Sequence, residues 1–424
     1  MKKYIIRLGG VLVASALFIN LLAVPGLAGR QAQATGLAQS IVAAAPETEE
    51  NPTSAQAAVV EIDSTQDLAA AIAGQEDGQV WKIAEGVYRL AQEHLDQYAH
   101  WDAPGQGGWY LPLYADDLTI LGEGQVVVTS TVECENGAWA SQDFVSVWGD
   151  GITIDGVDFQ SKYVPNKAIE IMGKDFTLRN CAILPVAHPD GEQGEVFSGS
   201  IFFNPNNEAG DLGNATLEHV YLHAYVSASA AKAGTLNVRD VTMDATGNIW
   251  GVWGTGYGPG LVGNVYGEIE NVRYLVDESA ILSDILDSGS AYAADTKPGT
   301  TIVFAPGVYE LTTPLTIGKD VTLVGAGMES TIFRAAAEPA VLLQVAGGDV
   351  DFSMSGIYVQ GVEHNSHNNS SAVQIGSNGA PNTGRIVIEG CRFSDFTKNS
   401  ITVLRHTGRN IGNSLRRYST TRRN

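Results

Sequence analysis

One short pattern of apolar and polar residues recurs along the chain. It reads apolar, polar, apolar, polar, turn residue, apolar, polar, apolar. Because side chains alternate between the two faces of a strand, the first four positions predict a strand with one buried face. The last three positions predict a second strand that points its apolar side chains into the same interior. The copies are 152–159, 176–183, 215–222, 236–243, 267–274, 352–359 and 386–393.

The turn position holds residues that tolerate left-handed backbone angles. Glycine does so without steric cost, and Asn, Asp and His are the other residues most often found there. Each copy therefore predicts a strand, a sharp bend and a second strand. The predicted bends are Gly156, Asn180, His219, Asp240, Asn271, Gly356 and Gly390.

The spacing of the copies predicts coils that stack on one another. Copies begin 24 residues apart at 152 and 176, and 34 apart at 352 and 386. This suits coils of three short strands with outer loops of variable length, paired in parallel. A leucine-rich repeat would have a shorter period with leucine at most apolar positions. A β-sandwich would not repeat one apolar–polar pattern seven times. We therefore predict an all-β fold, a right-handed parallel β-helix.

A second pattern predicts that this solenoid is built twice. The stretch 84–90 precedes 118–124 in the same way as 305–311 precedes 321–327. Upstream of each lies an amphipathic helix, the first with Ser64 or Thr65 as its N-cap. A helix there would cover the open end of the core. We predict two tandem units, 59–274 and a shorter 275–403, each opened by a short capping helix.

Together these sequence patterns resemble the parallel β-helix repeat of the pectate-lyase-like superfamily, over most of residues 59–403. The resemblance implies a role on polysaccharide. The catalytic signatures of the superfamily's pectate lyases and polygalacturonases are absent, and residues 142–144 match the pectin methylesterase set only in passing. Our first hypothesis is therefore a protein that binds polysaccharide or cell-surface glycan. The alternatives are a polysaccharide lyase or glycoside hydrolase acting on uronic-acid polymers, and a structural stalk or truncated gene remnant.

The two ends of the chain differ from the repeats. Residues 1–34 have a basic start, an apolar run and small residues, which predicts a signal peptide and a secreted or cell-surface protein. A retained membrane anchor is the alternative. Residues 35–57 predict a flexible linker. Residues 404–424 form a basic tail without the repeat, either for anionic wall polymers or foreign to the fold.

Composition limits the partners. The net charge of −22 argues against nucleic acid, which such a surface would repel. After signal cleavage we expect no membrane contact, and we expect a monomer. The three cysteines exclude a disulfide-stapled scaffold. Two of them, Cys181 and Cys391, occupy equivalent core positions of the repeat.

The insertion 94–113 has no counterpart in the second unit and is rich in aromatic and acidic residues. Flat rings suit stacking on sugars, with carboxylates accepting hydrogen bonds from hydroxyls. The alternative is that these rings anchor the loop against the coil. No catalytic residue is assigned. The predicted substrate-binding residues are His94, Asp96, His100, Trp101, Asp102, Trp109, Tyr110 and Trp139.

Metal sites have weaker support. No cofactor is required by the pattern, and no metal ligand is assigned. Calcium is possible at the carboxylate-rich stretch 190–195, although that stretch lacks the EF-hand spacing and a solvated loop is the favoured explanation. His364 and His367 lack a third ligand in the sequence.

Outward charges of alternating sign suggest a structural ladder of cross-strand pairs. Its members are Asp155, Arg179, Glu218, Arg239 and Glu270.

Overall fold

A computed structural model describes most of residues 57–404. The described ranges are 57–95, 111–130, 143–160, 167–184, 201–223, 225–244, 246, 260–278, 282–286, 299–336, 341–362, 370–397 and 399–404. The predicted signal peptide, most of the predicted linker and nearly all of the basic tail lie outside them. Residues 57–424 form a unit of their own, separate from residues 1–56.

Short strands dominate the described part of the chain, and three short helices accompany them there. The helices are α1 (Thr65–Ala73), α2 (Gln92–Leu95) and α3 (Leu282–Leu286). The first strands are β1 (Val59–Ile62), β2 (Val80–Leu90), β3 (Leu111–Leu113), β4 (Thr119–Ser130), β5 (Asp143–Val147), β6 (Thr153–Gln160), β7 (Lys167–Ile171), β8 (Thr177–Arg179), β9 (Ala182–Leu184), β10 (Ile201–Phe203), β11 (Asp211–Glu218), β12 (Tyr221–His223), β13 (Val226–Ser227), β14 (Ala233–Arg239), β15 (Thr242–Asp244), β16 (Leu261–Val262), β17 (Tyr266–Glu270) and β18 (Arg273–Val276). The remaining strands are β19 (Thr300–Phe304), β20 (Gly307–Leu311), β21 (Leu315–Ile317), β22 (Val321–Gly325), β23 (Thr331–Ala335), β24 (Val341–Val345), β25 (Phe352–Ser355), β26 (Tyr358–Gln360), β27 (Ser371–Ile375), β28 (Ile386–Glu389), β29 (Arg392–Ser394) and β30 (Ile401–Val403).

All the named strands pair in parallel, and the strands of successive coils form three ladders. Strands before the bend form the pre-kink ladder, strands after the bend form the post-kink ladder, and the third strands of the coils form the third ladder. In the first unit the pre-kink ladder includes β8, β11, β14 and β17, and the post-kink ladder includes β9, β12, β15 and β18. The long strands β2, β4 and β6 belong to both ladders. The third ladder runs β3, β5, β7, β10, β13 and β16. The predicted parallel β-helix is confirmed.

The predicted core residues line up in register along one interior. Ile154 pairs with Leu178, Leu178 with Leu217, and Leu217 with Val238. All four are fully buried. Large aromatic side chains fill the wider parts of the same core, such as Phe144, which meets Phe159 edge to face at 6.3 Å between ring centroids. Burial of this continuous apolar row is what each coil gains from its neighbours.

The predicted bends are also confirmed. Asn180, His219, Asp240 and Asn271 have φ between 51° and 55°, and the three glycines have φ between 58° and 76°. The bends connect neighbouring coils, because the N–H of Asn180 donates to the carbonyl of Glu218 at 3.0 Å. The N–H groups of His219 and Asp240 bond to the next coil in the same way, also at 3.0 Å.

A short helix lies ahead of each run of coils, as predicted. Ser64 caps α1 by accepting a hydrogen bond from the N–H of Asp67 at 3.1 Å. The helix buries Leu68 and Ile72 against the first coil, and α3 buries Leu282, Ile285 and Leu286. The described part of the chain contains no helix long and apolar enough to cross a membrane.

The two runs of coils meet with an offset of one ladder. The post-kink strand β18 pairs with β19, which is the first pre-kink strand of the second run. The sheet β9–β12–β15–β18 therefore continues as β19–β22–β25–β28. The post-kink strands β20, β23, β26 and β29 and the third strands β21, β24, β27 and β30 form new sheets. Because β18 has partners on both sides, pairing alone does not divide the units, and the boundary at residues 274–275 stays a prediction.

Candidate functional site

In the first unit, the number of residues between a post-kink strand and the following third-ladder strand varies widely. The chain leaves β2 at Leu90 and enters β3 at Leu111, and it leaves β9 at Leu184 and enters β10 at Ile201. One connection is short, since β12 ends at His223 and β13 begins at Val226. The insertion 94–113 is one of the long connections.

Of the predicted substrate-binding residues, His94 is described. It lies in α2, half-buried, and its Nδ1 accepts a hydrogen bond from the N–H of Ala91 at 3.0 Å. This contact gives the ring a local structural role. The others lie outside the described residues, so their part in binding stays a prediction: Asp96, His100, Trp101, Asp102, Trp109, Tyr110 and Trp139.

A row of polar and aromatic side chains follows the outer surface of the third ladder. Ser146 pairs with Glu170, Glu170 with Phe202, and Phe202 with Ser227. Their strand neighbours, such as Ile169 and Ile201, are fully buried in the core, so strand alternation points the row outward. Together with Tyr225, these four residues are named the third-ladder face.

Two aromatic rings at the centre of the third-ladder face contact each other. Phe202 and Tyr225 meet edge to face with ring centroids 5.4 Å apart, and both are half-buried. Such pairs are rigid and present apolar surface beside a polar edge. The third-ladder face therefore combines ring surface for stacking with hydrogen-bonding groups on the neighbouring strands.

The polar groups of the third-ladder face are mostly buried. Glu170 is 7% exposed and accepts a hydrogen bond from Nδ2 of Asn204 at 2.9 Å. Ser146 is fully buried, and its Oγ has no hydrogen-bond partner among the described residues. A buried hydroxyl without a partner is uncommon, because such groups normally find a protein or water partner.

A second group lies on the outer surface of the post-kink ladder, and we name Tyr221, His223, Asp244 and Arg273 the post-kink patch. Tyr221 Oη donates to Asp244 Oδ2 at 2.5 Å. Asp244 Oδ1 accepts hydrogen bonds from the N–H of Thr246 at 2.9 Å and from its hydroxyl at 2.7 Å. Donors therefore reach both oxygens of Asp244, which fixes this carboxylate.

Burial shifts two titratable groups of the patch in opposite directions. Burial raises the pKa of Tyr221, and the hydrogen bond and charge of Asp244 add to that rise. Burial lowers the pKa of His223, and Asp244, the Thr246 backbone and Asp277 oppose the change. His223 is 3% exposed. At neutral pH the phenol is therefore protonated and the imidazole uncharged.

The charge ladder is in register, as its sequence suggested. Asp155 pairs with Arg179, Arg179 with Glu218, and Glu218 with Arg239 along the pre-kink strands. Arg179 Nε lies 2.8 Å from Asp155 Oδ2, whereas Arg239 contacts Glu268 instead of a ladder member. Arg179 thus pairs with a ladder member and Arg239 with a neighbouring carboxylate of the protein, which agrees with a structural role for these two arginines.

Outward groups of the second unit also pair with one another. Gln374 Nε2 donates to Gln344 Oε1 at 2.7 Å, and Arg334 Nε donates to Gln360 Oε1 at 3.1 Å. The guanidinium of Arg392 lies 4.7 Å from the ring centroid of Tyr358. These groups satisfy each other across neighbouring coils and are less available to a ligand.

No group of three or more His, Cys, Asp and Glu side chains suited to a metal ion occurs among the described residues. The stretch 190–195 and the histidines 364 and 367 lie outside them, so the calcium hypothesis stays untested. Cys181 and Cys391 are buried free thiols, as their core positions predicted. Burial raises the pKa of Cys181 to about 12.

Comparison with known proteins gives a likeness of fold. No family model and no curated protein matches the sequence. A PL6 alginate lyase in complex with a trisaccharide is 11% identical, with TM-score 0.36 and coverage of 83% of this chain and 89% of that chain. The pectin methylesterase from carrot is 11% identical, with TM-score 0.25 and coverage of 84% and 91%. The PL6 alginate lyase AlyGC is 9% identical, with TM-score 0.21 and coverage of 80% and 76%. These values transfer no residue or activity to this chain, and the parallel ladders themselves establish the fold.

Sequence inspection missed both outer surfaces as sites. The repeat does place Tyr221 and Arg273 at the same outward position of their copies, so that row was accessible from the alignment of phrases. The third strand of each coil has no such phrase, and connections of variable length precede it. The residues that lie beside Glu170 could therefore be identified only from the strand pairing in the structure.

Proposed function

We propose that this chain is an exported or cell-surface protein that binds polysaccharide through the third-ladder face of its first unit. Export is supported by the basic and apolar start of the sequence. Binding is supported above all by the pair Phe202 and Tyr225, half-buried beside the carboxylate of Glu170. Rings with adjacent acceptors are the side chains that sugars use for stacking and for hydroxyl contacts.

The shape of the solenoid supports a polymeric ligand. Successive coils lie about 4.8 Å apart, so the six strands of the third ladder repeat similar outward positions over roughly 24 Å. A surface of this kind presents equivalent groups at regular intervals. Phe202 is the most exposed residue of the row, so a chain of sugar rings would contact the ladder there and at the adjoining Tyr225.

Two aromatic variants with a matched control test this proposal. Tyr225→Ala and Phe202→Ala each remove one ring from the third-ladder face, and Tyr358→Ala removes a half-buried ring from the second unit. Binding to a panel of neutral and acidic polysaccharides is measured by affinity electrophoresis. We expect each face variant to weaken binding about threefold to tenfold, which corresponds to the roughly 0.5–1.5 kcal/mol of one aromatic contact. We expect Tyr358→Ala to bind as the unaltered protein does.

Three results would contradict the proposal. The first is retention by no polysaccharide of the panel, and the second is equal weakening by all three variants. The third is release of unsaturated or reducing sugar ends during the assay, because turnover would replace binding with a lyase or hydrolase activity. The predicted role of the insertion is tested alongside, since Trp109→Ala should weaken retention if residue 109 contributes to the same surface.

A further inference from the structure

Among the residues that the structure describes, Arg273 is a half-buried cation without an anionic partner. Half-buried Arg239 and Arg334 form ion pairs, with Glu268 and Glu310 respectively. Across the described ranges, the guanidinium of Arg273 forms neither an ion pair nor a side-chain hydrogen bond. Its five N–H donors are therefore unused by this part of the protein.

The neighbours of Arg273 are also polar and uncharged. The residue pairs with Thr242 on one side and with Thr301 on the other. Thr242 in turn pairs with Tyr221, so Arg273 and Tyr221 lie two strands apart in the same outward row. Strand spacing sets this separation at roughly 9.6 Å between backbones.

His223 supplies an acceptor that is likewise unused. Its Nδ1 is buried and has no hydrogen-bond partner in the described part of the chain. The Thr246 backbone also acts on the imidazole and opposes the fall in its pKa. A neutral ring has one nitrogen with a lone pair, and in the tautomer protonated at Nε2 that nitrogen is Nδ1. A ligand hydroxyl, or an ordered water bridging to one, would satisfy it.

Tyr221 joins these two groups. It lies two residues before His223 on the same face of β12, about 6.6 Å away along the strand. Its half-buried ring is held by the hydrogen bond from Oη to Asp244. The patch thus has a fixed ring, an unused donor on one side and an unused acceptor on the other.

The charges of the patch suit an uncharged ligand. Asp244 and Asp277 place two negative charges near His223, and Arg273 supplies one positive charge to the patch. A sugar carboxylate would therefore meet two anions for one cation, while a neutral ring brings no charge. Sugar hydroxyls donate and accept, which matches one unused donor and one unused acceptor.

We propose that the post-kink patch of Tyr221, His223, Asp244 and Arg273 binds a neutral sugar ring. The inference goes beyond the proposed function, because it assigns a second surface of the solenoid and the charge class of its ligand. It shares with the proposed function only the premise that the ligand is a sugar. The two surfaces are tested with different probes and different variants.

Monosaccharides provide the probe. Glucose, galactose and mannose are each compared with the corresponding 6-carboxylate by weak-affinity chromatography on the immobilised full-length chain. We expect saturable retention of at least one neutral hexose and weaker retention of its uronate. We expect Arg273→Gln to weaken this retention about tenfold, the effect of losing one charge-assisted hydrogen-bonding group.

Matched variants separate a local role from a general charge effect. Arg385→Gln removes an exposed arginine of the second unit and should leave hexose retention unchanged. His223→Asn keeps an acceptor near the position of Nδ1 and should retain the hexose, whereas His223→Phe removes the acceptor and should release it. Tyr225→Ala, which alters the third-ladder face, should leave hexose retention intact.

Several results would overturn the inference. They are retention of no hexose, retention of a uronate as strong as that of its hexose, and equal loss in Arg273→Gln and Arg385→Gln. Loss of polysaccharide binding in Tyr225→Ala with unchanged hexose retention would uphold both proposals. Failure of the hexose experiment with intact polysaccharide binding would remove the patch and leave the third-ladder face in place.

Discussion

The close stacking of coils at Gly173 predicts that one added methyl group there will destabilise the fold. A Cβ on Gly173 would lie 2.0 Å from the carbonyl oxygen of Gly149 and 3.0 Å from that of Trp148. Carbon atoms in contact are normally about 3.5 Å or more from their neighbours, so this corner of the coil would have to move by roughly 1.5 Å. A Cβ on Gly149 would likewise lie 2.2 Å from the carbonyl oxygen of Ala115, so the next coil is packed as closely and the strain cannot relax into it.

We therefore expect Gly173→Ala to lower the free energy of unfolding by about 1–3 kcal/mol, the usual cost of an overpacked interior. The matched control is Gly86→Ala, whose Cβ would meet nothing nearer than a Tyr88 ring carbon at 3.5 Å. There we expect no loss, or a gain of about 0.4–1 kcal/mol from the less flexible unfolded chain. Urea unfolding followed by circular dichroism compares the two. Equal midpoints would refute the stacking geometry on which the third-ladder face depends.

Three further predictions concern the bends and the buried titratable groups. Asn180→Val should destabilise the fold by about 1–2 kcal/mol more than Asn180→Gly in urea unfolding, because φ is 55° and a β-branched residue is strained there; equal losses would contradict a bend at this position. In a Cys134→Ser background, Cys181 should resist a thiol reagent at pH 8 until urea unfolds the chain, since burial raises its pKa to about 12; rapid labelling of the folded protein would exclude this burial. Because burial depresses the pKa of His223 below about 6.5, its stabilising contribution should be present above that pH and be lost as the pH falls through the folded value. Stability curves of the unaltered protein and His223→Phe should therefore diverge below pH 6.5, and parallel curves would count against a neutral buried ring.

The repeated pattern of apolar and polar residues was sufficient to predict the first two strands of the coils that carry it. Its alternation identified Leu178 and Leu217 as core residues, and its turn position identified Asn180 and His219 as bends. Both signals are local, because strand alternation and left-handed backbone preference depend on the residue and its neighbours. Such features are accessible without knowledge of which coils touch.

The third strands and the candidate site were not accessible in the same way. Glu170 and Phe202 are 32 residues apart in the sequence and become neighbours only when β7 and β10 pair. The connection between those strands has no fixed length, so no spacing rule relates them. The pairing of the post-kink strand β18 with the pre-kink strand β19 could not be predicted for a related reason. The repeated pattern identifies strands within one coil, but it does not indicate which ladder the first strand of the second unit joins.

Hydroxyl-radical footprinting measures the central claim most directly. The protein is oxidised with and without the polysaccharide that it retains most strongly, and the modified residues are quantified by mass spectrometry. We predict that the ligand protects Phe202 and Tyr225 of the third-ladder face and leaves the half-buried Tyr358 of the second unit unchanged. Protection of Tyr358 with no change at Phe202 and Tyr225 would contradict the account.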